Sequence, residues 1–189
     1  MLTYTLHFGE TVRSQKEAAM DDTIRDKEGY SLALRETYLE MIESSLGTKI
    51  FRRVYVQRPG ELFDATKDGN FSCAYFVSSI QFHFHLTTTW HVNVGLTVED
   101  MLVSGWYPTD EPQIGGVIVY GFGKICSDDQ RHRHLGFYMG GDTEDKVISN
   151  HPYLCDPRRH PLHYIDGRDG RSHRPIEAMY FHEKLVIRP

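Results

Sequence analysis

Apolar residues recur at helical spacing from Cys73 onward: Cys73, Phe76, Val77, Ile80 and Phe84 would share one helix face. The turn-forming run Asp68-Gly69-Asn70 precedes them. The pattern therefore predicts a helix that opens close to Cys73, with Asn70 or Ser72 offering a side-chain oxygen to a first-turn amide. A second stripe, Leu34, Tyr38, Met41, Ile42 and Leu46, closes at Gly47 and predicts another helix. It belongs to a helix-forming region over residues 14–45 that includes Gln15-Lys16-Glu17-Ala18-Ala19-Met20 and is broken at Gly29. Thr97-Val98-Glu99-Asp100 reads as a capped start with Thr97 as the cap, and that helix ends at Gly105.

The remaining pattern is strand-like. Residues 2–8 and 49–56 read as strands, and residues 57–70 and 106–112 as connecting loops. From Ile114 the grammar changes. Residues 115–121 predict a buried strand, 123–133 a polar loop, 134–141 a second strand ending in a turn, and 146–150 a third. Residues 162–165 and 176–181 add two more. Helices first and closely spaced strands afterwards predict an α+β class with a mainly antiparallel sheet. Residues 1–48 read as an N-terminal helical extension packed on a core that spans 49–189.

Composition narrows the class. Of 189 residues 40% are hydrophobic and 25% charged, ordinary for a globular chain, and the net charge of −5 argues against a general nucleic-acid binder. Three cysteines, Cys73, Cys126 and Cys155, are too few for a disulfide framework, and their odd number leaves one free within a single chain. The start, Met1-Leu2-Thr3-Tyr4-Thr5-Leu6-His7-Phe8, lacks the basic and long apolar regions of a signal peptide. No run is long enough to span a membrane. A cytoplasmic location without a membrane partner is the expectation.

Candidate chemistry starts at Cys73. In a first turn, the helix dipole and unpaired N–H groups favour a thiolate. A cysteine nucleophile also needs a base, and the base an orienting group. His134, expected to open a strand directly after a polar loop, suits the base. Asn150 ends the following strand, and its side-chain carbonyl can accept from an imidazole N–H if the two strands pair.

These residues carry a resemblance. Ser72-Cys73-Ala74 opening an apolar helix, Gly115-Gly116-Val117-Ile118-Val119, and His134-Leu135-Gly136-Phe137-Tyr138-Met139-Gly140 together resemble the NlpC-type cysteine peptidases, over about residues 60–185. Shorter likenesses lie in Ile148-Ser149-Asn150 and His182-Glu183-Lys184-Leu185. The resemblance implies a papain-like fold, with Cys73 at the start of a central helix and no cofactor. It implies hydrolysis of amide bonds through an acyl-enzyme, in that family typically in cell-wall stem peptides. Cys73 would be the nucleophile and an oxyanion donor, and His134 the base. The third residue falls among Ser149, Asn150 and His151, with His163 further off, and Asn150 is preferred for its amide. The chain departs from the family in two places: Ser72 stands where an aspartate is common, and Phe63 where an upstream tyrosine is common. Ser72 and Phe63, with Cys73, are accordingly the expected oxyanion-side and substrate-binding positions.

Three rival readings follow from the same residues. Cys126, His132, His134, Cys155, Asp156, His160 and His163 form a His/Cys-rich segment, although without the tight pairs of structural zinc sites. His83 and His85, two apart, do not share a helix face. Arg131-His132-Arg133, Arg158-Arg159, Arg168 and Arg171-Ser172-His173-Arg174 make the last third locally basic, but Asp156, Asp166, Asp169 and Glu177 interleave with them. The third rival is a papain-like scaffold that binds a partner without chemistry.

Overall fold

The ring of Phe137 is met edge-on by two others, Phe76 at 5.4 Å and Tyr38 at 5.8 Å. These three residues come from a strand and two helices, and they mark the centre of the core. The computed structural model describes residues 29–124, 131–163 and 174–187. The strand expected at 2–8 and the helical run over 14–28 lie outside the described residues, as do Cys126, Tyr164 and Ile165. The chain divides into two units, Met1–Ala33 and Leu34–Pro189. Every helix and strand below belongs to the second.

In chain order these are α1 (Leu34–Ser44), β1 (Tyr55–Arg58), β2 (Glu61–Asp64), α2 (Cys73–His83), α3 (Val94–Val103), β3 (Trp106–Pro108), β4 (Val117–Lys124), β5 (Arg131–Tyr138), β6 (Val147–His151), β7 (Asp156–His160) and β8 (Ile176–His182), followed by a 3-10 turn at Glu183–Leu185. The class is α+β, as expected. Six strands form one sheet in the order β3-β8-β4-β5-β6-β7, and β1 pairs with β2 alone. All described pairings are antiparallel.

The helix α2 packs its apolar face on β5 and β6. Phe76, Val77 and Ile80 of that face are fully buried with Val117, Val119, Leu135, Phe137 and Ile148 of the sheet. Burying one such side chain contributes about 1.5–3 kcal/mol. From α1, Tyr38 and Ile42 complete this layer, and the buried Tyr38 hydroxyl donates to the Gly115 carbonyl at 2.9 Å. The other sheet face carries a smaller cluster of Ile118, Tyr120 and Val147 with Leu162, Ile176 and Met179.

Several local expectations are corrected. Residues 49–54 form no strand, with a turn at Ile50 and Phe51, and the strand begins only at Tyr55. The expected loop after it is a hairpin instead. Pro59 presets its own φ and Gly60 sits at φ +79°, which suits a tight turn between Arg58 and Glu61. Trp106–Pro108 is not a loop but an edge strand on β8, anchored by the Trp106 indole N–H donating to the Leu86 carbonyl at 2.7 Å. Asn93, not Thr97, caps α3: its side chain accepts from the Leu96 N–H at 3.1 Å, while Thr97 lies inside the helix. The polar loop expected over 123–133 gives way to strand at both its ends, since β4 runs to Lys124 and β5 starts at Arg131. His134 is thus inside a strand rather than at its opening. The strand expected at 162–165 is not formed at Leu162 and His163. Asp156–His160 forms β7 instead, with Pro157 tolerated because the strand is at the sheet edge.

Candidate active site

The entry to α2 is held by the carbonyl of Gly69. Gly69 adopts φ +92°, and a Cβ there would lie 2.6 Å from that of Cys155, so only glycine fits. Its carbonyl accepts from the Ser72 hydroxyl at 3.1 Å and from Asn150 Nδ2 at 2.8 Å. The Asn70 amide donates to the Lys67 carbonyl at 2.7 Å. Neither Asn70 nor Ser72 therefore caps the helix, although Ser72 holds the N-cap position. Of the first-turn amides, those of Cys73 and Ala74 face the Cys73 thiol.

Cys73 is the first residue of α2 and is nearly buried. Its thiol meets the N–H groups of Leu135, Ala74 and Cys73 itself, with the Arg174 charge nearby. Burial nonetheless dominates and pushes the thiol above its ordinary range. This corrects the expectation of a resting thiolate: desolvation outweighs the helix terminus.

A cleft of about 330 Å³ opens beside the thiol. Cys73, Ala74, His134, Asn150 and Arg174 line it together with the start of α3 at Asn93 and Val94. Phe71 and Phe122 add apolar surface to its wall. The His132 ring packs 4.9 Å from that of Phe71.

His134 is 4% exposed and pairs across the sheet with Tyr120, whose ring lies 6.1 Å away. Strand alternation turns its side chain to the opposite face from Leu135, which packs under α2. The thiol reaches β5 at the Leu135 N–H, one residue beyond His134. Among the described residues, no hydrogen bond joins the thiol to the His134 ring. That ring instead places Nε2 2.8 Å from Ser149 Oγ, which is 2.9 Å from His160 Nε2. Burial, the Arg174 charge, His160 and His151 hold the His134 imidazole well below its ordinary pKa. At neutral pH both the thiol and the ring are uncharged.

The structure thus brings Cys73, His134 and Asn150 to one cleft, but the group on the imidazole is Ser149. Asn150 faces the other way along β6. Its Nδ2 is committed to Gly69, and its buried Oδ1 has no hydrogen-bond partner among the described residues. His151 Nδ1 accepts from the Tyr153 and Leu154 amides at 3.2 Å, so it serves the turn after β6. His163 is exposed and lies outside the cleft. Ser72 is fully buried below the helix start, and Phe63 sits on the β1–β2 hairpin under the Arg58 guanidinium, so neither lines the cleft. Gly136 has a role the sequence reading gave no reason for. It faces Ser149 across the strands, and a Cβ on it would come within 3.0 Å of the Ser149 Cβ. The glycine lets β6 approach closely enough for Ser149 to reach His134.

Two residues near this site, His160 and Arg174, stand in the sequence only within a His/Cys-rich segment and a basic segment. Reading residues 156–160 as a strand would have placed His160 beside Ser149, but Pro157 and two arginines hide that strand.

Among the described residues, no group of three or more His, Cys, Asp or Glu side chains is arranged to hold a metal. The described arginines of the basic segments are engaged: Arg133 with Glu177 at 2.7 Å, Arg158 with Asp156 at 2.7 Å, and Arg159 with Glu43. Among the described residues, no helix is long and apolar enough to cross a membrane. No protein-family model, curated protein or solved structure matches the chain.

Proposed function

We propose that the chain is a papain-like cysteine hydrolase of amide bonds, with Cys73 as nucleophile, His134 as base and Ser149 as the group that orients the base. One observation carries this reading: a cysteine in the first turn of a sheet-packed helix shares a cleft with an imidazole held from behind by a hydroxyl. The resemblance to NlpC-type peptidases directs the substrate search to short peptides, cell-wall stem peptides first.

The mechanism starts from a neutral pair. As sulfur attacks the carbonyl carbon, His134 takes the thiol proton and the carbonyl electrons move to oxygen. The Cys73 backbone N–H faces the developing oxyanion. The C–N bond then breaks, and the leaving amine takes the proton from His134. Water attacks the resulting thioester, gives its proton to His134, and the thiolate leaves and is reprotonated. Substrate binding must draw the thiol and the ring together first, since catalytic hydrogen bonds often tighten only in the complex.

The buried, uncharged thiol favours a second reading, a scaffold that binds a peptide in the cleft without cleaving it. Incubation of the protein with stem peptides, read by mass spectrometry, separates the two. Cleavage that is lost in Cys73→Ser supports the hydrolase. Saturable binding with intact peptide and no Cys73 adduct supports the scaffold.

A further inference from the structure

The hydrogen-bond chain behind His134 has a direction. In it, His160 Nδ1 lies 2.7 Å from the Pro161 carbonyl oxygen. A carbonyl only accepts, so Nδ1 carries the proton. Burial lowers the His160 pKa to about 4, against the pull of the Pro161 carbonyl, so near pH ~7 the ring is neutral and holds one proton. Its Nε2 is then an acceptor, and the Ser149 hydroxyl 2.9 Å away must donate to it. A hydroxyl has a single hydrogen. Toward His134, 2.8 Å away on its other side, Ser149 Oγ can only accept. The proton of the neutral His134 ring therefore sits on Nε2, which leaves Nδ1 as the basic nitrogen. The reverse direction would set two lone pairs against each other at Pro161.

The placement follows from the sheet. Ser149 pairs with Arg158, and His160 pairs with Val147, so His160 stands diagonal to Ser149 on the same face. His134 shares that face through its Tyr120 partner, and the Tyr120 ring lies 5.9 Å from that of His160. His134 and Ser149 are buried and His160 is half-buried, so little solvent competes for the bond between the first two.

We propose that His160 is a positioning residue that acts through Ser149 to hold His134 in the Nε2–H form, with Nδ1 as the base. The inference rests on the reading of His134 as the base for Cys73. It makes the Pro161 carbonyl the fixed end of the relay, and it assigns Ser149 two jobs: it accepts from one ring and donates to the other. With His160 removed, the Ser149 hydroxyl is free to turn and donate to His134 Nε2. The His134 proton then moves to Nδ1 and the base is lost.

The test combines a spectroscopic and a kinetic readout on the full chain. Two-bond nitrogen–proton spectra of histidine-labelled protein near pH ~7, assigned with His134→Ala, report the tautomer of His134 directly. The expected parent spectrum shows His134 protonated on Nε2. In His160→Leu the signal shifts toward the Nδ1–H form, and acylation of Cys73 by p-nitrophenyl acetate falls by about 10²-fold or more, the low end of what a general base contributes. His160→Gln, which keeps an acceptor for Ser149, restores both toward the parent. An Nδ1–H form in the parent overturns the proposal, and this result needs no variant to fold. So does a folded His160→Leu with unchanged tautomer and rate. A parent chain with the Nε2–H form but no Cys73 acylation removes the base role and sinks the hydrolase reading, while the tautomer assignment stands.

Discussion

Ser149 Oγ lies 2.8 Å from Nε2 of His134, and the close approach of their strands at Gly136 is what allows it. The orienting group is thus a hydroxyl on β6, one residue before the amide that the sequence favours. Ser149→Ala leaves His134 Nε2 without this acceptor. Acylation of Cys73 is expected to fall by about 10²-fold, and the buried N–H left without its acceptor should also cost about 1–3 kcal/mol of stability. Stopped-flow measurement with an activated ester checks it.

Asn150 separates stability from chemistry. Its amide fixes the Gly69 carbonyl under the start of α2 at 2.8 Å. Asn150→Ala removes one of the two donors to that carbonyl, Ser72 remaining, and should cost about 0.5–1.5 kcal/mol of stability in urea unfolding. The loss of acylation in the folded fraction should be smaller than for Ser149→Ala. A variant as stable as the parent but without acylation would return Asn150 to the catalytic role.

How much of this was legible follows from particular residues. The helix at Cys73 and the strands around Val119, Phe137 and Ile148 were readable, because their apolar residues keep one period and one face. The stripe Tyr38, Ile42 was readable for the same reason. The hairpin at Pro59-Gly60, the edge strand at Trp106 and β7 were not. Each is short, exposed on one side and built from residues that local preference assigns to loops. Cys73 and His134 stand out in the sequence through a helix start, a strand after a polar loop and the motifs that carry the family resemblance. Ser149 was hidden because one step along a strand reverses the face, and the choice between Ser149 and Asn150 depends on the register with β5. The state of the thiol is not legible in the sequence, because a helix start is visible there and burial is not.

That state gives a pH prediction. The Cys73 thiol is pushed up by burial, so it stays protonated at neutral pH. Iodoacetamide should label Cys73 slowly near pH ~6 and faster only above the ordinary cysteine range of about 8.5. A thiolate that labels rapidly near pH ~6 would show that the helix terminus and Arg174 outweigh desolvation.

Asp100 gives a stability prediction away from the cleft. Its carboxylate is largely buried. It accepts from the Thr88 amide and hydroxyl, the Thr89 amide and the Ser104 hydroxyl, and pairs with His91 Nε2 at 2.9 Å. Burial would raise its pKa, but these bonds lower it from 3.8 to about 2. The folded pKa is below the unfolded one, so the unfolded chain binds more protons between these values. The contribution, about 2 kcal/mol, is complete above about pH 5 and lost as pH falls toward 2. Asp100→Asn should therefore be less stable than the parent near pH ~7 and close to it near pH ~2. An equal gap at both pH values would contradict the assignment.

The most direct measurement is a burst experiment with p-nitrophenyl acetate, followed by mass spectrometry of the intact chain and its peptides. About one equivalent of p-nitrophenol per chain and an acetyl group on Cys73 are expected, absent in Cys73→Ala and slowed by about 10²-fold or more in His134→Ala. Acetylation confined to surface amines, or a Cys73 adduct that forms equally fast without His134, would contradict it.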